Sequence, residues 1–541
     1  MLEHALDELG KRGYEESTVV SGNTLDSSRR YSSNAVSRIG FHESVTPNRK
    51  SRDERLDRVT DSARGVTGLL DWQDPAWAVI NAVAGTDGVL IAGGGNLNST
   101  WPEHIYERVA IARLAQIFNK PLVISGQTFG PLLLGRDGDL LAELLAIAAL
   151  IGVRENPSFE LALKLGVDAG RLRLNVDDAH FLASASDSDI PPMLSELVSG
   201  PYAAATFAPY SGSELYETHL ARITSFTDLV AKITGLPVLL LPHEGFLDTA
   251  TRSSDIAIHD QIAERSAGTQ ILPAPVLPAK VVARLTRGAS FVVSSRYHPI
   301  VFAQSGYVPS IGISVDTYTD IKISGALRQA GMSNSIISAA ALGTSDCRHL
   351  LQETWKTREE IRGQVMASSE TCNLASTTWW DDVAATIGGH PRATHTPASE
   401  PIQMILGSKE ARERLNALRD LTNRMSLQNQ RKELAWGEEL ERVRELVDGT
   451  AQAELRAGQA HADMLDALQR TLDVEAALRA AHVLLSSELD LIMPVQANDA
   501  ADSLATAELA RLHSTKLFRW TLKLRDFYSF VRGGRRRNRN T

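Results

Sequence analysis

The sequence predicts an α/β fold in which two Rossmann-like domains face each other across a cleft. Short apolar runs, typical of buried parallel strands, alternate with longer segments of helical periodicity. This alternation occurs twice, with a break near residue 195. Glycines or charged residues directly follow several strands, and open α/β sheets bind their ligands at those carboxyl ends. We therefore predict one domain at 1–195 and a second at 196–387.

The composition excludes several classes of protein. The chain has 541 residues, of which 43% are hydrophobic and 22% charged, as in ordinary globular proteins. Its two cysteines, Cys347 and Cys372, provide neither a disulfide framework nor a metal-binding spacing, and favour a reducing compartment. No stretch has the roughly 18 consecutive apolar residues of a transmembrane helix, and the charged N-terminus does not resemble a signal peptide. We therefore predict a cytoplasmic protein.

The first domain begins with a helical pattern at 1–13, followed by a strand at 17–20. A Rossmann-like unit normally opens with a strand and a glycine-bearing turn before such a helix. We therefore expect either an atypical fold or a natural chain that starts further upstream. The segment 29–65 is polar and has no clear assignment, whereas 77–83 has the pattern of an apolar helix.

Later strands of this domain end in residues suited to ligand binding. The strand at 88–92 leads into a run of three glycines, which lets a ligand approach the backbone closely. A plain glycine turn is the alternative interpretation. The candidate residues at these strand ends are Gly94, Gly95, Asn96, Gln127, Arg154 and Asp178.

The second domain contains the most informative stretch, 290–322. A buried strand breaks at Ser294, and a helix follows with Pro299 in its first turn. Arg296 and His298 thus lie where free backbone N–H groups and the helix dipole favour an anion. An arginine fork beside a titratable histidine suits a phosphorylated carboxylate. The alternative is a turn in which both side chains cap carbonyl groups.

Other elements of this domain follow the same scheme. The strand at 236–241 is followed by His243 and Glu244, which are candidates for contact with a second substrate. Capping of their own turn is the alternative role. We also expect helices at 334–341 and 350–368, and the segment 379–387 completes the domain.

The C-terminal part of the chain has a different composition. The segment 388–402 is rich in Gly, Pro, Thr and Ser and predicts a linker. The segment 403–493 is dense in Leu, Ala, Glu and Arg, as in long helices or coiled coils, and offers a surface for homo-oligomerisation. A helical hairpin packed on its own domain is the alternative.

The end of the chain, 505–541, is strongly basic. It has ten Lys or Arg residues against two acidic ones, although the whole chain has a net charge of −9. Leu517, Trp520, Leu524 and Phe527 form one apolar helical stripe, with cations beside it. This amphipathic pattern favours binding to an anionic membrane surface through 516–539. Packing of the stripe against the preceding helices is the alternative.

Taken together and in order, four segments resemble the polysaccharide pyruvyl transferase family, over roughly residues 1–387. The segment Gly93–Asn96 resembles the family's glycine run, and Ser125–Pro131 resembles its Gly-Gln-Ser-Ile-Gly-Pro turn. Val153–Glu155 with Ser158, together with Asp177–Phe181, resembles its VRE…S and DxxF elements. Ser295–His298 with Ala303 and Lys322 resembles its Ser-Arg-Leu-His…Lys segment. The chain departs from the family at Pro299, where glycine is usual, and lacks the family's first strand and glycine turn.

The resemblance implies a GT-B-like arrangement and the transfer of pyruvate from phosphoenolpyruvate to two sugar hydroxyls as a ketal. The acceptor is then a cell-surface polysaccharide or its lipid-linked precursor, and no further cofactor or metal is required. The implied catalytic residues are His298, as the acid, and Arg296. The implied donor-binding residues are Arg154, Arg296, His298, Lys322 and Gln127. The implied acceptor-binding residues are Gly94, Gly95, Asn96, His243 and Glu244.

Two other functions fit the same pattern of motifs. A GT-B-type glycosyltransferase would place a nucleotide-sugar across the cleft, and a non-catalytic domain would serve as a scaffold for the C-terminal helices. Joint retention of Arg154, Arg296, His298 and Lys322 argues against the scaffold. Nucleic acid would also attract the basic tail, but the lipid-linked acceptors of the family favour the inner face of the cell membrane, and we expect no nucleic-acid partner.

Overall fold

The computed structural model describes residues 1–209, 215–245, 253–266, 270–392, 401–447, 462–477 and 479–480. The fold is α/β, with parallel sheets in both halves of the part that precedes the C-terminal helices. The predicted basic tail at 505–541 and the predicted membrane-binding segment 516–539 lie outside the described residues.

The first half contains seven strands and seven α-helices among the described residues. In chain order they are α1 Leu2–Lys11, β1 Thr18–Ser21, α2 Thr24–Tyr31, β2 Asn34–Ser37, α3 Arg49–Ala63, α4 Ala76–Gly85, β3 Val89–Ile91, β4 Gly94–Leu97, α5 Pro102–Ile117, β5 Leu122–Phe129, α6 Arg136–Ile147, β6 Leu150–Val153, α7 Asn156–Lys164 and β7 Leu172–Leu174. The main sheet has the order β3-β5-β6-β7, and β4 also pairs with β5. Strands β1 and β2 pair only with each other, in parallel.

The polar segment 29–65, which the sequence left unassigned, buries its few apolar residues in the core of the first half, and polar residues cap its helices. The side chain of Asn23 accepts the Asp26 N–H at the start of α2. Asn48 and Ser51 form a reciprocal capping box at the start of α3. These caps satisfy N–H groups that the first turn of a helix leaves without partners. The helices predicted at 1–13 and 77–83 are confirmed as α1 and α4.

The second half is built around a six-stranded parallel sheet of order β10-β9-β8-β11-β12-β13. Its elements are α8 Pro192–Ser199, β8 Ala203–Thr206, α9 Tyr216–Thr234, β9 Val238–Leu240, α10 Ser254–Arg265, β10 Ile271–Pro273, α11 Ala279–Gly288, β11 Phe291–Ser294, α12 Tyr297–Ser305, β12 Ser310–Ser314, α13 Thr317–Gln329, β13 Ile336–Ser338 and α14 Ser345–Lys356. Strands β8, β9, β11, β12 and β13 are buried along their whole length, as expected for parallel strands covered on both faces.

The helix predicted at 334–341 is wrong. Residues 336–338 form the strand β13, which pairs with β12, and a single 3₁₀ turn follows at Ala339–Ala341. Two adjacent isoleucines, Ile336 and Ile337, fill a buried edge of the sheet, where β-branched side chains pack well. The helix was predicted because three alanines, Ala339–Ala341, follow this strand.

The helix α15, Arg358–Ile387, returns to the first half of the chain. Near its C-terminal end, Trp379, Trp380 and Val383 pack in one cluster with residues of α1 and of the first sheet. The indole Nε1 of Trp379 donates to Ser125 Oγ at 3.1 Å. The segment that was predicted to complete the second domain therefore packs on the first, because its two tryptophans cover that sheet.

The last long helix, α16 Lys409–Val447, starts by packing on its own half of the chain. Arg419 Nε lies 3.4 Å from Asp320 Oδ1, and Thr317 Oγ1 donates to the Asn423 carbonyl at 2.7 Å. This part of the helix matches the alternative of packing on its own domain, whereas oligomerisation through 403–493 stays a prediction. Among the described residues, no helix is both long and apolar enough to cross a membrane.

Candidate active site

Arg154 lies at the end of β6, in the turn before α7, and is almost completely buried. Its Nη1 donates to Asp177 Oδ2, its Nε donates to Thr128 Oγ1 at 2.9 Å, and its guanidinium lies 4.5 Å from the centre of the Tyr297 ring. The burial of a charge is tolerated here because the guanidinium has both an anion and hydrogen-bond acceptors. Arg154 in turn keeps the pKa of Asp177 below its usual value despite burial.

Lys322 approaches the same place from the second half of the chain. It lies on α13, one turn after Tyr318, and its Nζ is 3.7 Å from the centre of the Tyr318 ring and 5.8 Å from that of Tyr297. Within the described residues, Lys322 forms no ion pair with a carboxylate. Burial and the nearby Arg154 lower the pKa of Lys322 to about 7. The Lys322 side chain is therefore available to a bound anion, because no carboxylate of the described residues pairs with it.

The two cations meet over the glycine run. A Cβ on Gly95 would lie 2.6 Å from Tyr318 Oη and 2.9 Å from Arg154 Nη2, so only glycine fits between these side chains. Gly94 packs against the amide of Gln127, and Gln127 Nε2 donates to the Ala92 carbonyl. Gln127 Oε1 and Asn96 Oδ1 are buried without a partner among the described residues. The structure thus brings the predicted residues Gly94, Gly95, Asn96, Gln127, Arg154 and Lys322 together.

His298 lies beside this cluster, near the N-terminus of α12. Its ring centre is 5.4 Å from that of Tyr297 and 6.2 Å from that of Phe302. Burial lowers the pKa of His298 to about 4; Asp177 raises it, whereas Arg154 and Lys322 lower it further. The imidazole is therefore neutral at pH 7, and an anion bound between these cations would favour its protonated form.

A second group lies around Arg296, the residue before α12. Arg296 Nη2 is 2.5 Å from Oδ1 of the fully buried Asp255, whose Oδ2 accepts the N–H groups of His243 and Glu244 at 3.0 Å. Arg296 Nε has no partner among the described residues. The guanidinium is thus fixed on one side and keeps a donor on the other.

The structure separates the two predicted acceptor residues of this half. The ring of His243 lies 5.9 Å from that of Phe302, which also stacks with His298, and burial and the nearby His298 lower its pKa. Glu244 is exposed, and its carboxylate accepts the N–H and hydroxyl groups of Ser254 at the start of α10. His243 thus faces the histidine of the site, and Glu244 occupies a capping position.

Contacts behind the site hold its two sides together. Gln329 Nε2, at the end of α13, donates to the carbonyls of Arg154 at 3.0 Å and Asn175 at 2.7 Å. Gly325 lies directly against the Glu155 side chain, leaving no room for a Cβ. Burial raises the pKa of Glu155 to about 7, although Thr128 and Ser158 donate to it.

Some residues of the site were not identified from the sequence. Tyr297, Tyr318 and Asp255 all contact predicted residues, and Asp177 was noted only as part of a motif. Tyr297 lies inside the Ser-Arg-Tyr-His segment, where the resemblance gives leucine, so this departure was a usable signal. Asp255 belongs to a helix in a different part of the sequence, and no local pattern connects it with Arg296. Asp178, predicted at a strand end, lies instead near His4 of α1.

The geometry defines a class of site: cations from two parallel α/β halves, placed at strand ends and, for Lys322, on α13, around glycine and able to bind a multiply charged anion. In the described parts of the chain, no group of three or more side chains is placed to hold a metal ion. A family model described as polysaccharide pyruvyl transferase matches residues 1–317, which is more than half of the chain. The chain belongs to this family.

Solved structures are similar to this chain at low sequence identity. A Listeria monocytogenes protein described as a UDP-N-acetylglucosamine 2-epimerase is 13% identical, with a TM-score of 0.48, over 75% of this chain and 95% of that one. The UDP-GlcNAc 2-epimerase of Methanocaldococcus jannaschii is 10% identical, with a TM-score of 0.44, over 78% and 95%. Anabaena HepE, solved with UDP and glucose, is 15% identical, with a TM-score of 0.42, over 72% and 95%. A comparison with curated proteins finds no match.

Proposed function

We propose that this protein transfers pyruvate from phosphoenolpyruvate to two hydroxyl groups of a polysaccharide or of its lipid-linked precursor. The observation that carries the proposal is the convergence of Arg154 and Lys322, from opposite halves, on the glycine at Gly95. Phosphoenolpyruvate carries both a phosphate and a carboxylate, and so needs several cations. Lys322 lacks a carboxylate partner within the described residues, and Arg296 keeps an unused donor there.

The proposed reaction assigns one proton transfer to His298. Its imidazolium gives a proton to the methylene carbon of the donor, which becomes a methyl group, and the adjacent carbon becomes cationic. The first sugar hydroxyl attacks this carbon and loses its proton. The carbon–oxygen bond to phosphate then breaks, and its electron pair leaves with the phosphate. The second hydroxyl attacks the cationic carbon that results and loses its proton, which closes the ketal. Arg296 and Lys322 stabilise the charge that develops on the departing phosphate.

The acceptor contacts proposed from the sequence are Gly94, Gly95, Asn96 and His243. The unpaired buried Asn96 Oδ1 is an acceptor for a sugar hydroxyl, since buried polar atoms normally have a partner. His243 Nε2 is likewise buried without a partner among the described residues. Neutral histidine at this position is suited to accept the proton that a hydroxyl loses. The sequence also predicted Glu244 as an acceptor contact, and its exposure beside His243 is the observation that supports this role.

The first test is phosphate release from phosphoenolpyruvate in the presence of candidate glycans. We expect release to depend on both substrates and the glycan to gain the mass of a pyruvate ketal. Nucleotide-sugars, including UDP-linked ones, are expected neither to compete with phosphoenolpyruvate nor to donate a sugar. Transfer of a sugar from a nucleotide-sugar would instead identify a glycosyltransferase. If neither phosphoenolpyruvate nor a nucleotide-sugar is consumed, the scaffold is favoured.

Replacing Arg296 with alanine is expected to raise the KM for phosphoenolpyruvate about 10- to 100-fold, the effect of losing a charge-assisted hydrogen bond. The fold is expected to persist, because Asp255 keeps two backbone N–H donors at 3.0 Å. Arg296→Lys is the matched variant: it keeps the charge beside Asp255 but loses the two-pronged geometry. An unchanged KM in Arg296→Ala would exclude this residue from the donor site.

Affinity for phosphoenolpyruvate is expected to fall as the pH rises from 7 to 9, by up to about tenfold per unit. The pKa of Lys322 is about 7 in the free protein, and a bound anion raises it. Above pH 7 the free protein must therefore take up a proton in order to bind. The donor phosphate is already fully ionised in this range, since its second pKa is about 6. Calorimetric titrations of wild type and Lys322→Arg test this: the variant, which stays charged, is expected to lose the part of the slope that comes from proton uptake by Lys322 and to keep the part that comes from His298.

A further inference from the structure

A second cationic cluster lies in the first half of the chain, outside the site described above. Arg38 directly follows β2, and its guanidinium lies over Gly22, which follows β1; a Cβ on Gly22 would be 3.5 Å from Arg38 Cζ. His104 and Arg108 lie one turn apart on α5, and Arg108 Nη1 donates to His104 Nδ1 at 3.2 Å. The cluster therefore occupies the carboxyl ends of the β1–β2 pair and the start of α5.

The charges of this cluster are not balanced by ion pairs. Within the described residues, Arg38 has neither a hydrogen bond nor an ion pair, and Arg108 Nε is buried without a partner. Burial and the proximity of Arg38 lower the pKa of Arg108 to about 10, and Arg108 and Arg38 lower the pKa of His104 to about 4 in addition to burial. Two like charges held close together, one with a buried unused donor, suit an anion with several oxygens.

Within the described residues, neither nearby glutamate forms an ion pair with Arg38 or Arg108, although Glu107 and Glu103 both act to raise the pKa of Arg108. Glu107 accepts the N–H groups of Ile39 at 2.6 Å and Gly40 at 3.3 Å, and so fixes the backbone just after Arg38. Arg55 holds the same backbone from its other side, because its Nε donates to the Gly40 carbonyl at 2.7 Å. The remaining carboxylate, that of Glu103, lies 3.8 Å from His104 Nε2 and is partly exposed. A buried glutamate and a buried arginine thus position the loop that presents Arg38.

The cluster is within reach of the candidate active site. Trp101, the residue before α5, has its ring 5.4 Å from that of Tyr318, which contacts Lys322. From Trp101 to Arg108 the helix rises about 10 Å, at about 1.5 Å per residue. A group attached to the sugar that receives pyruvate can span this distance.

We propose that Arg38, His104 and Arg108 bind a phosphate group carried by the acceptor, such as the phosphate or diphosphate that links a sugar to its carrier. This inference rests on the proposed function for the identity of the acceptor. Because the proposed function assigns the donor phosphate to Arg154, Arg296 and Lys322, this second cluster is left for the acceptor. The protein therefore distinguishes phosphate-linked acceptors from free sugars.

The first experiment titrates the full chain with inorganic pyrophosphate by calorimetry. Arg38→Glu is expected to weaken binding about tenfold or more, because it reverses a charge at a charge-assisted contact. Arg30→Glu is the matched control: Arg30 is also an exposed arginine of the first half, paired only with Asp26 at 3.4 Å. Its effect is expected to be less than twofold. Equal weakening by both variants would overturn the site, and equal thermal melting of both with wild type checks the fold.

The second experiment compares acceptors in the transfer assay. Arg38→Glu is expected to raise the KM for a sugar phosphate about tenfold, without changing the KM for phosphoenolpyruvate or for the same sugar without phosphate. An equal effect on both sugars would overturn the assignment to the acceptor. If no variant transfers pyruvate, the proposed function fails, whereas the pyrophosphate titration still tests the site.

A third measurement separates an acceptor phosphate from a lipid headgroup. Wild type and Arg38→Glu are pelleted with vesicles of phosphatidylglycerol and phosphatidylcholine in equal parts. The two proteins are expected to pellet equally. A loss of pelleting in Arg38→Glu, together with unchanged binding of pyrophosphate, would assign the cluster to the membrane surface and overturn the proposal.

Discussion

Replacing His298 with alanine is expected to lower kcat for pyruvate transfer by about 10²- to 10⁴-fold, the range typical of a lost general acid. The affinity for phosphoenolpyruvate is expected to change by only a few fold, because Arg154, Arg296 and Lys322 remain to bind its charges. The location of His298 supports this split. It lies near the N-terminus of α12 with its ring 5.4 Å from that of Tyr297, and the charges of Asp177, Arg154 and Lys322 act on it.

The protonation of His298 follows from its surroundings. In the free protein, burial and the neighbouring cations lower its pKa to about 4, and Asp177 opposes this effect. The phosphate and carboxylate of the donor add negative charge beside the ring, which raises its pKa in the complex. We therefore expect His298 to gain its proton when the donor binds, and so to act as an acid only with substrate present.

The measurement is steady-state kinetics of phosphate release, combined with direct titration of phosphoenolpyruvate. His298→Gln, which keeps a hydrogen-bonding side chain but cannot carry the proton, is expected to match His298→Ala in kcat. His349→Ala, at an exposed histidine of α14, serves as the control and is expected to behave as wild type. Normal turnover in His298→Gln would show that another group supplies the proton.

The sequence located most of the candidate site because parallel strands bring their carboxyl ends to one edge. Arg154, Arg296 and His298 each follow a strand, and Gly95 lies in β4 just after β3. Arg154 contacts Gly95 and also acts on His298, although these residues are far apart in the chain. Lys322 was identified only through the resemblance, since it lies within α13 and follows no strand. Its position became meaningful once the contacts with Tyr318 and Tyr297 were visible.

What the sequence did not predict depends on contacts between distant segments. The pairing of Arg296 with Asp255 joins the end of β11 to the first turn of α10, and no periodicity records it. The return of α15 to the first sheet depends on Trp379 and Trp380, whose burial partners lie more than two hundred residues earlier. The strand β13 was misassigned because its three residues are followed by alanines, so a local pattern favoured helix over a long-range pairing with β12.

Replacing Arg154 with methionine is expected to destabilise the protein by about 3–5 kcal/mol, the cost of removing one partner of a buried ion pair. Arg154 and Asp177 are both nearly inaccessible to solvent, and Arg154 also donates to Thr128 and lies over the Tyr297 ring. Methionine fills a similar volume and packs well against an aromatic ring. The loss therefore comes mainly from the charge that is left on Asp177, rather than from a cavity.

The double variant Arg154→Met, Asp177→Asn separates the role of Arg154 in stability from its role in binding. Removing both charges avoids an unpaired buried carboxylate, so most of the lost stability is expected to return. Phosphoenolpyruvate binding is not expected to return, because the Nη2 donor beside Gly95 is absent. Urea denaturation midpoints and calorimetric titration of phosphoenolpyruvate measure the two effects. Arg64→Met, which breaks an exposed pair with Asp61, is the control and is expected to cost no more than about 1 kcal/mol.

Each outcome assigns Arg154 a different role. If the double variant recovers both stability and donor affinity, Arg154 serves only to neutralise Asp177, and Lys322 and Arg296 bind the donor without it. If it recovers stability alone, the guanidinium contributes to both, with Nη1 held by Asp177 and Nη2 directed at the glycine run. We expect the second result, because Asp177 engages Nη1 and Thr128 engages Nε, whereas Nη2 lies at the glycine run close to Lys322.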